Sequence, residues 1–197
     1  MNNKKLQKNG FTLVETLIAV LILTLSIGGL LSLAAGGFFS VRYSRNQIIA
    51  NNLLQESIEY VRNTRDTAFL QSLGWNGWKS SLNVNESGSL TGGSTDGCFS
   101  ASGCIVDPYT SGNKVKACSG VCPNILYYPD NNFYGYSNSY PFVVTNPAYA
   151  TSFVRTIKLE PSSSSDDQVI VTATISWQNG TNTKTLIQKD LITNWTP

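Results

Sequence analysis

The chain has 197 residues, 41% hydrophobic and 13% charged, with a formal net charge of +2 and no histidine. That length holds one domain, or one domain with an appendage. The near-neutral balance lacks the broad positive field that grips nucleic acid, and the missing histidine removes the Ser-His-Asp and Cys-His nucleophile systems and the usual imidazole ligand of zinc.

The first ten residues, MNNKKLQKNG, carry Lys4, Lys5 and Lys8 and no acid. A basic run ahead of an apolar stretch keeps its charges cytoplasmic while the apolar part enters the bilayer. Beyond Glu15 no charge occurs until Arg42. About 20 apolar residues span a bilayer as a helix, so this run is long enough to cross. It exceeds the apolar core of a cleaved secretory signal, about 7–15 residues, for which Ala34-Ala35-Gly36 offers the competing site. A carboxylate costs about 2.5–3.5 kcal/mol at the bilayer centre and less towards the interface. Read alone, Glu15 belongs at the headgroups, near a helix N-terminus whose dipole favours an anion.

Residues 10–20 read Gly-Phe-Thr-Leu-Val-Glu-Thr-Leu-Ile-Ala-Val. With the basic leader and the apolar run, this string resembles the class III signal of type IV prepilins and pseudopilins. The likeness rests on the Gly10–Phe11 junction, Thr12, Leu13 and Glu15 five residues into the mature chain. It implies that a prepilin peptidase cuts between Gly10 and Phe11 and methylates the new amine of Phe11, and that the apolar helix is retained. It also implies that Glu15 registers subunits in a filament, its carboxylate neutralised by the amine of Phe11 in the same or a neighbouring subunit. Such pairing restores much of what burial of one charge loses. The implied partners are the peptidase, other pilin or pseudopilin subunits, an inner-membrane assembly platform with its ATPase, and membrane lipid; nucleic acid is not expected. The implied location is a single pass in the inner (cytoplasmic) membrane with an extracytoplasmic head, then a periplasmic or extracellular filament. Many major pilins place a proline within the apolar helix. Here the first proline is Pro108, and Gly28-Gly29 and Gly36-Gly37 stand in the helix instead. Those glycines suit either local melting or close helix packing.

Residues 42–69 turn amphipathic, with Ile49, Ala50, Leu53, Leu54, Ile58 and Val61 at helical spacing. Glu59 and Arg62, and Arg62 and Asp66, are placed to pair along the helix. The pattern Ala50–Leu54–Glu56–Glu59–Arg62 also resembles the helix of minor pilins and pseudopilins. A Gly/Ser/Asn/Thr-rich stretch, 70–100, reads as a long connection with one short helix or strand, onto which Trp75 and Trp78 either pack or form a binding patch.

Cys98, Cys104, Cys118 and Cys122 form an even set beyond a membrane anchor and predict two disulfides, in any of three connectivities. A four-cysteine zinc site is the rival, with poor spacing. An aromatic run follows, Tyr127, Tyr128, Phe133, Tyr134, Tyr136 and Tyr140, which packs the disulfide loops or lines a sugar or partner surface. The last third is β. Phe153, Ile157 and Leu159 share one face, and Val169, Val171, Ala173, Ile175 and Trp177 alternate strictly. Asn179-Gly180 signals a hairpin turn leading into a strand over 185–193. Pro161–Asp167 reads as a Ser-rich loop whose Asp166 and Asp167 lack the further oxygen ligands that calcium needs.

The expected architecture is α+β: a pilin-like lollipop, a long N-terminal helix whose outer half packs on a C-terminal antiparallel sheet. Its parts are a leader (1–10), a transmembrane and assembly half-helix (11–41), an amphipathic half-helix (42–69) and a globular head (70–197). The expected function is that of a minor type IV pilin or pseudopilin, with no catalysis, cofactor or metal. The alternatives are a type II secretion or competence pseudopilin, and, in another class, an anchored extracellular carbohydrate- or ligand-binding protein.

Overall fold

The structure, a computed structural model, describes residues 10–83, 97–111, 113–136, 146–162 and 165–195. Lys4, Lys5, Lys8 and Tyr140 lie outside them. The chain divides into two compact units, Met1–Asn46 and Gln47–Pro197. Helix α1, Leu13–Leu70, contributes to both.

In the first unit the apolar side chains of α1 are exposed, among them Leu17, Leu21, Leu25 and Phe38. An 18-residue window there reaches a mean hydropathy of 2.5, long and apolar enough to cross a membrane. Three hydroxyls of this apolar stretch are satisfied by their own helix. Thr16, Thr24 and Ser26 donate to the carbonyls of Leu13, Leu21 and Ile22 at 2.8–2.9 Å, so these three need no acceptor from outside, the condition lipid imposes.

In the second unit α1 buries one stripe, Ala50, Leu53, Leu54, Ile58 and Val61, against the inner face of an antiparallel sheet. The sheet has seven strands among the described residues: β1 Cys104–Val106, β2 Val115–Ala117, β3 Asn124–Tyr128, β4 Phe133–Gly135, β5 Tyr149–Ser162, β6 Ser165–Asn179 and β7 Asn182–Thr193. Strand β5 is the hub. One edge pairs with β6 from Val154 to Ser162; the other pairs with β3 and, at Ile157, with β1. The period-2 apolar set of β6 is buried as its alternation requires. The α+β reading and the β5–β6–β7 meander therefore hold, and four short strands, β1 to β4, extend the sheet through the cysteine and aromatic regions.

Three local expectations are corrected. The register pairs Asn179 with Asn182, so Gly180 and Thr181, not Asn179 and Gly180, are the central turn residues. Gly180 takes a φ of +65° at the first of these positions, where glycine is favoured. Asp166 and Asp167 lie in β6 rather than in a loop, because β5 and β6 pair as far as Ser162 and Ser165. Arg62 pairs with Glu59 at 3.1 Å but does not pair with Asp66; its Nε donates to Asp190 on β7 at 2.9 Å, and Asp66 takes Arg65 instead.

The 70–100 connection holds helix α2, Gly74–Ser81, and one 3-10 turn, Gly97–Phe99, among its described residues. Trp75 and Trp78 are buried, and Trp78 Nε1 donates to Thr64 on α1 at 3.2 Å, so these rings pack the connection onto the core. The cysteines pair as neighbours, Cys98 with Cys104 and Cys118 with Cys122.

Candidate functional site: the N-terminal signal and the buried arginine of the head

The signal begins outside the helix. Gly10 and Phe11 precede α1 and are exposed, Phe11 to 78%. Gly10 has open space where a side chain would stand. A protease can thus reach the Gly10–Phe11 backbone without unwinding a helical turn. Thr12 starts the helix. Its hydroxyl accepts from the Glu15 N–H at 3.3 Å, and its carbonyl accepts from the N–H groups of Glu15 and Thr16 at 3.1 and 3.2 Å. Thr12 is therefore the N-cap and Glu15 the third helical residue, the spacing of a capping box. Two jobs converge on Glu15: it places a negative charge against the positive end of the helix dipole, and it stands at the exposed head of the apolar segment. The dipole reading of Glu15 from the sequence thus holds, and the Thr-x-x-Glu spacing adds the cap.

A second constellation lies in the second unit and centres on Arg155. The alternation of β5 puts Arg155 on the same inward face as Phe153, Ile157 and Leu159, and it is fully buried. Burial of a guanidinium requires partners. Nη1 meets Glu56 Oε2 at 2.6 Å and the Leu53 carbonyl at 3.3 Å, and Nη2 donates to the Val106 carbonyl at 2.6 Å. The guanidinium carbon also lies 5.6 Å from the centroid of the Tyr136 ring, in cation–π range. Arg155 thereby joins α1, β1, β5 and Tyr136 of the aromatic run. Burial pushes the Tyr136 hydroxyl pKa up, against the lowering influence of the guanidinium. Beside this cluster Asp107 is buried, and its carboxylate accepts from the backbone N–H groups of Tyr136 and Tyr109 at 2.8 and 3.3 Å.

Two clefts flank this cluster. One, of about 350 Å³, includes Asp107, Asn113, Lys114, Lys116 and Tyr136 in its lining. The other, of about 340 Å³, includes Asn52, Glu56, Tyr109 and Phe133. No group of three or more His, Cys, Asp or Glu able to hold a metal ion occurs among the described residues.

Compared with known families, residues 5–35 match the model of the prokaryotic N-terminal methylation motif. The chain therefore carries the class III signal of type IV prepilins and pseudopilins. Neither curated proteins nor solved structures yield a match.

Proposed function

We propose that this protein is a minor type IV pilin or pseudopilin: a non-enzymatic structural subunit, cut between Gly10 and Phe11, methylated on Phe11 and assembled into a filament or its tip. The observation that carries the reading is the methylation motif over 5–35 on a chain whose helix α1 continues from the apolar segment into the core of a folded unit. A secretory signal is discarded after cleavage. Here the apolar segment and the core residues Ala50, Leu53, Leu54, Ile58 and Val61 belong to one continuous helix, Leu13–Leu70, which supports a mature chain that keeps both.

In this reading the mature chain rests as a single-pass protein of the inner membrane until an assembly platform and its ATPase move it into the filament. Glu15 then leaves the headgroups for an apolar bundle and meets the methylated amine of Phe11, which offsets its lost hydration. The Trp75, Trp78 and Arg155 clusters pack the head, which suits a structural subunit. Coexpression with a prepilin peptidase followed by intact-mass measurement tests the reading: the chain should begin at Phe11 and carry one added methyl group. A chain still starting at Met1, or cut after Ala34–Gly36, would overturn it.

A further inference from the structure

In the second unit, the cleft of about 340 Å³ has two chemically different walls. One is a face of α1, where Ile49, Asn52 and Glu56 recur at spacings of three and four. The other is aromatic. Tyr109 is 46% exposed as a residue, and its ring centroid lies 5.4 Å from that of Phe133, which stacks on buried Tyr128 at 4.6 Å with planes 6° apart. An exposed ring backed by a fixed stack presents a rigid apolar platform and loses little entropy when a ligand covers it.

The polar groups of the cleft are held as well. Asn132 Oδ1 accepts from the Tyr127 hydroxyl at 2.6 Å, and Glu56 Oε2 accepts from buried Arg155 at 2.6 Å. This combination selects among ligands. A wholly apolar ligand would strip water from Asn52, Asn132 and Glu56 without replacing their hydrogen bonds. An anion would meet the Glu56 carboxylate. A cation gains little, because Arg155 already balances that charge. What remains is an uncharged ring with an apolar C–H face and a rim of hydroxyls or amides. The volume is at the small end of the usual ~300–1,000 Å³ for ligand sites and suits one or two such rings.

We propose that this cleft binds an uncharged saccharide of one or two rings, stacked on Tyr109 and hydrogen-bonded by Asn52, Asn132 and Glu56. It binds without cleaving. Glycoside hydrolysis uses two carboxyl groups, whereas among the described residues Glu56 is the one carboxylate of this lining and is committed to Arg155.

The test uses the full chain, unassembled, in a detergent without a sugar headgroup. Glucose, maltose, galactose, lactose, N-acetylglucosamine and diacetylchitobiose are titrated by saturation-transfer NMR, with sialyllactose as the anionic counterpart. At least one neutral sugar should saturate with a Kd of about 1 mM, and Tyr109→Ala should weaken it by about tenfold or more. Asn52→Ala should weaken it less, by roughly fivefold, with circular dichroism unchanged in both variants. The saturation should concentrate on the C–H protons of one ring face. The proposal is overturned if no neutral sugar saturates by about 20 mM, or if Tyr109→Ala binds as the parent does. It is equally overturned if sialyllactose binds best and loses affinity with Lys114→Ser and Lys116→Ser, which would move the ligand to the other cleft. Binding is read on the unassembled chain, so its absence leaves the filament reading untouched.

Discussion

Arg155 Nη1 and Glu56 Oε2 meet 2.6 Å apart, the first fully buried on β5 and the second on α1 with 23% of its side chain exposed. Removing one partner leaves the other charge behind, and for buried pairs this costs about 3–5 kcal/mol. Glu56 keeps some solvent, so Glu56→Ala is expected near the lower end, about 3 kcal/mol. Replacing the pair together, as Glu56→Gln with Arg155→Met, should recover much of that loss. Denaturant unfolding of the full chain in detergent, followed through buried Trp78 and Trp177, measures both. Equal losses in the single and double variants would show that the geometry of Arg155, rather than charge pairing, is what matters.

Gly103 takes a φ of +70°, and a Cβ there would stand 2.6 Å from the Ile157 carbonyl oxygen and 2.8 Å from Thr156 Cγ2. Both the left-handed backbone and the closeness of β5 forbid a side chain. Gly103→Ala is expected to destabilise the head by on the order of 2–3 kcal/mol, measured as a fall in the denaturant midpoint. An unchanged midpoint would mean that the Gly103–Cys104 segment can leave β5 freely.

The two disulfides should differ in weight. Each closes a short loop and, on chain entropy alone, contributes about 2 kcal/mol. Cys98 and Cys104 are fully buried in the main core, whereas Cys118 and Cys122 belong to a small cluster with Ile105. The Cys98→Ala, Cys104→Ala variant is therefore expected to lose more stability than the Cys118→Ala, Cys122→Ala variant. Non-reducing peptide mapping of the parent should find these pairings and no crossed ones.

Tyr60, on α1, has its pKa pushed up to about 12, first by burial and then by the nearby charge of Asp107. In the unfolded chain a tyrosine ionises near 10. Between about pH 10 and 12 the unfolded state sheds this proton and the folded state keeps it, so the stabilisation is complete below 10 and is lost as pH rises through 12. The loss from this residue is on the order of 2–3 kcal/mol. Tyr109 and Tyr136 are shifted in the same direction. Unfolding free energy measured across that range should fall, and Tyr60→Phe should make the fall shallower.

Glu15 offers a prediction that separates processing from assembly. Glu15→Ala should still be cut after Gly10, because the scissile bond lies outside the helix that Glu15 helps to cap. Its incorporation into filaments should be lost. Fractionation of sheared filaments against membranes, with mass analysis of both, checks the two steps separately.

How much of this was visible in the residues depended on the period and range of each interaction. The α1 stripe and the β6 alternation are local repeats, and both elements formed where the pattern placed them. Arg155 also obeys the alternation of β5, although a lone charge ordinarily sits at the surface. Its burial became intelligible only with Glu56, Leu53 and Val106 in place, partners 99, 102 and 49 positions away. Strands β1 to β4 were missed because each is only three to five residues long, too short for alternation to register. The aromatic run was readable as a cluster. The fact that Tyr128 and Phe133 stack while Tyr109 stays open was not, since it depends on the β3–β4 register.

Each disulfide joins cysteines that are consecutive along the chain, with separations of 6 and 4 residues. A head exported in chain order would present Cys98 and Cys104 to an oxidant ahead of Cys118 and Cys122. An oxidant acting on the emerging chain thus makes the native bonds simply by taking thiols in order of arrival. Maturation of the head is then expected to need a thiol oxidase but no disulfide isomerase, and deleting an isomerase from the host should leave its yield unchanged.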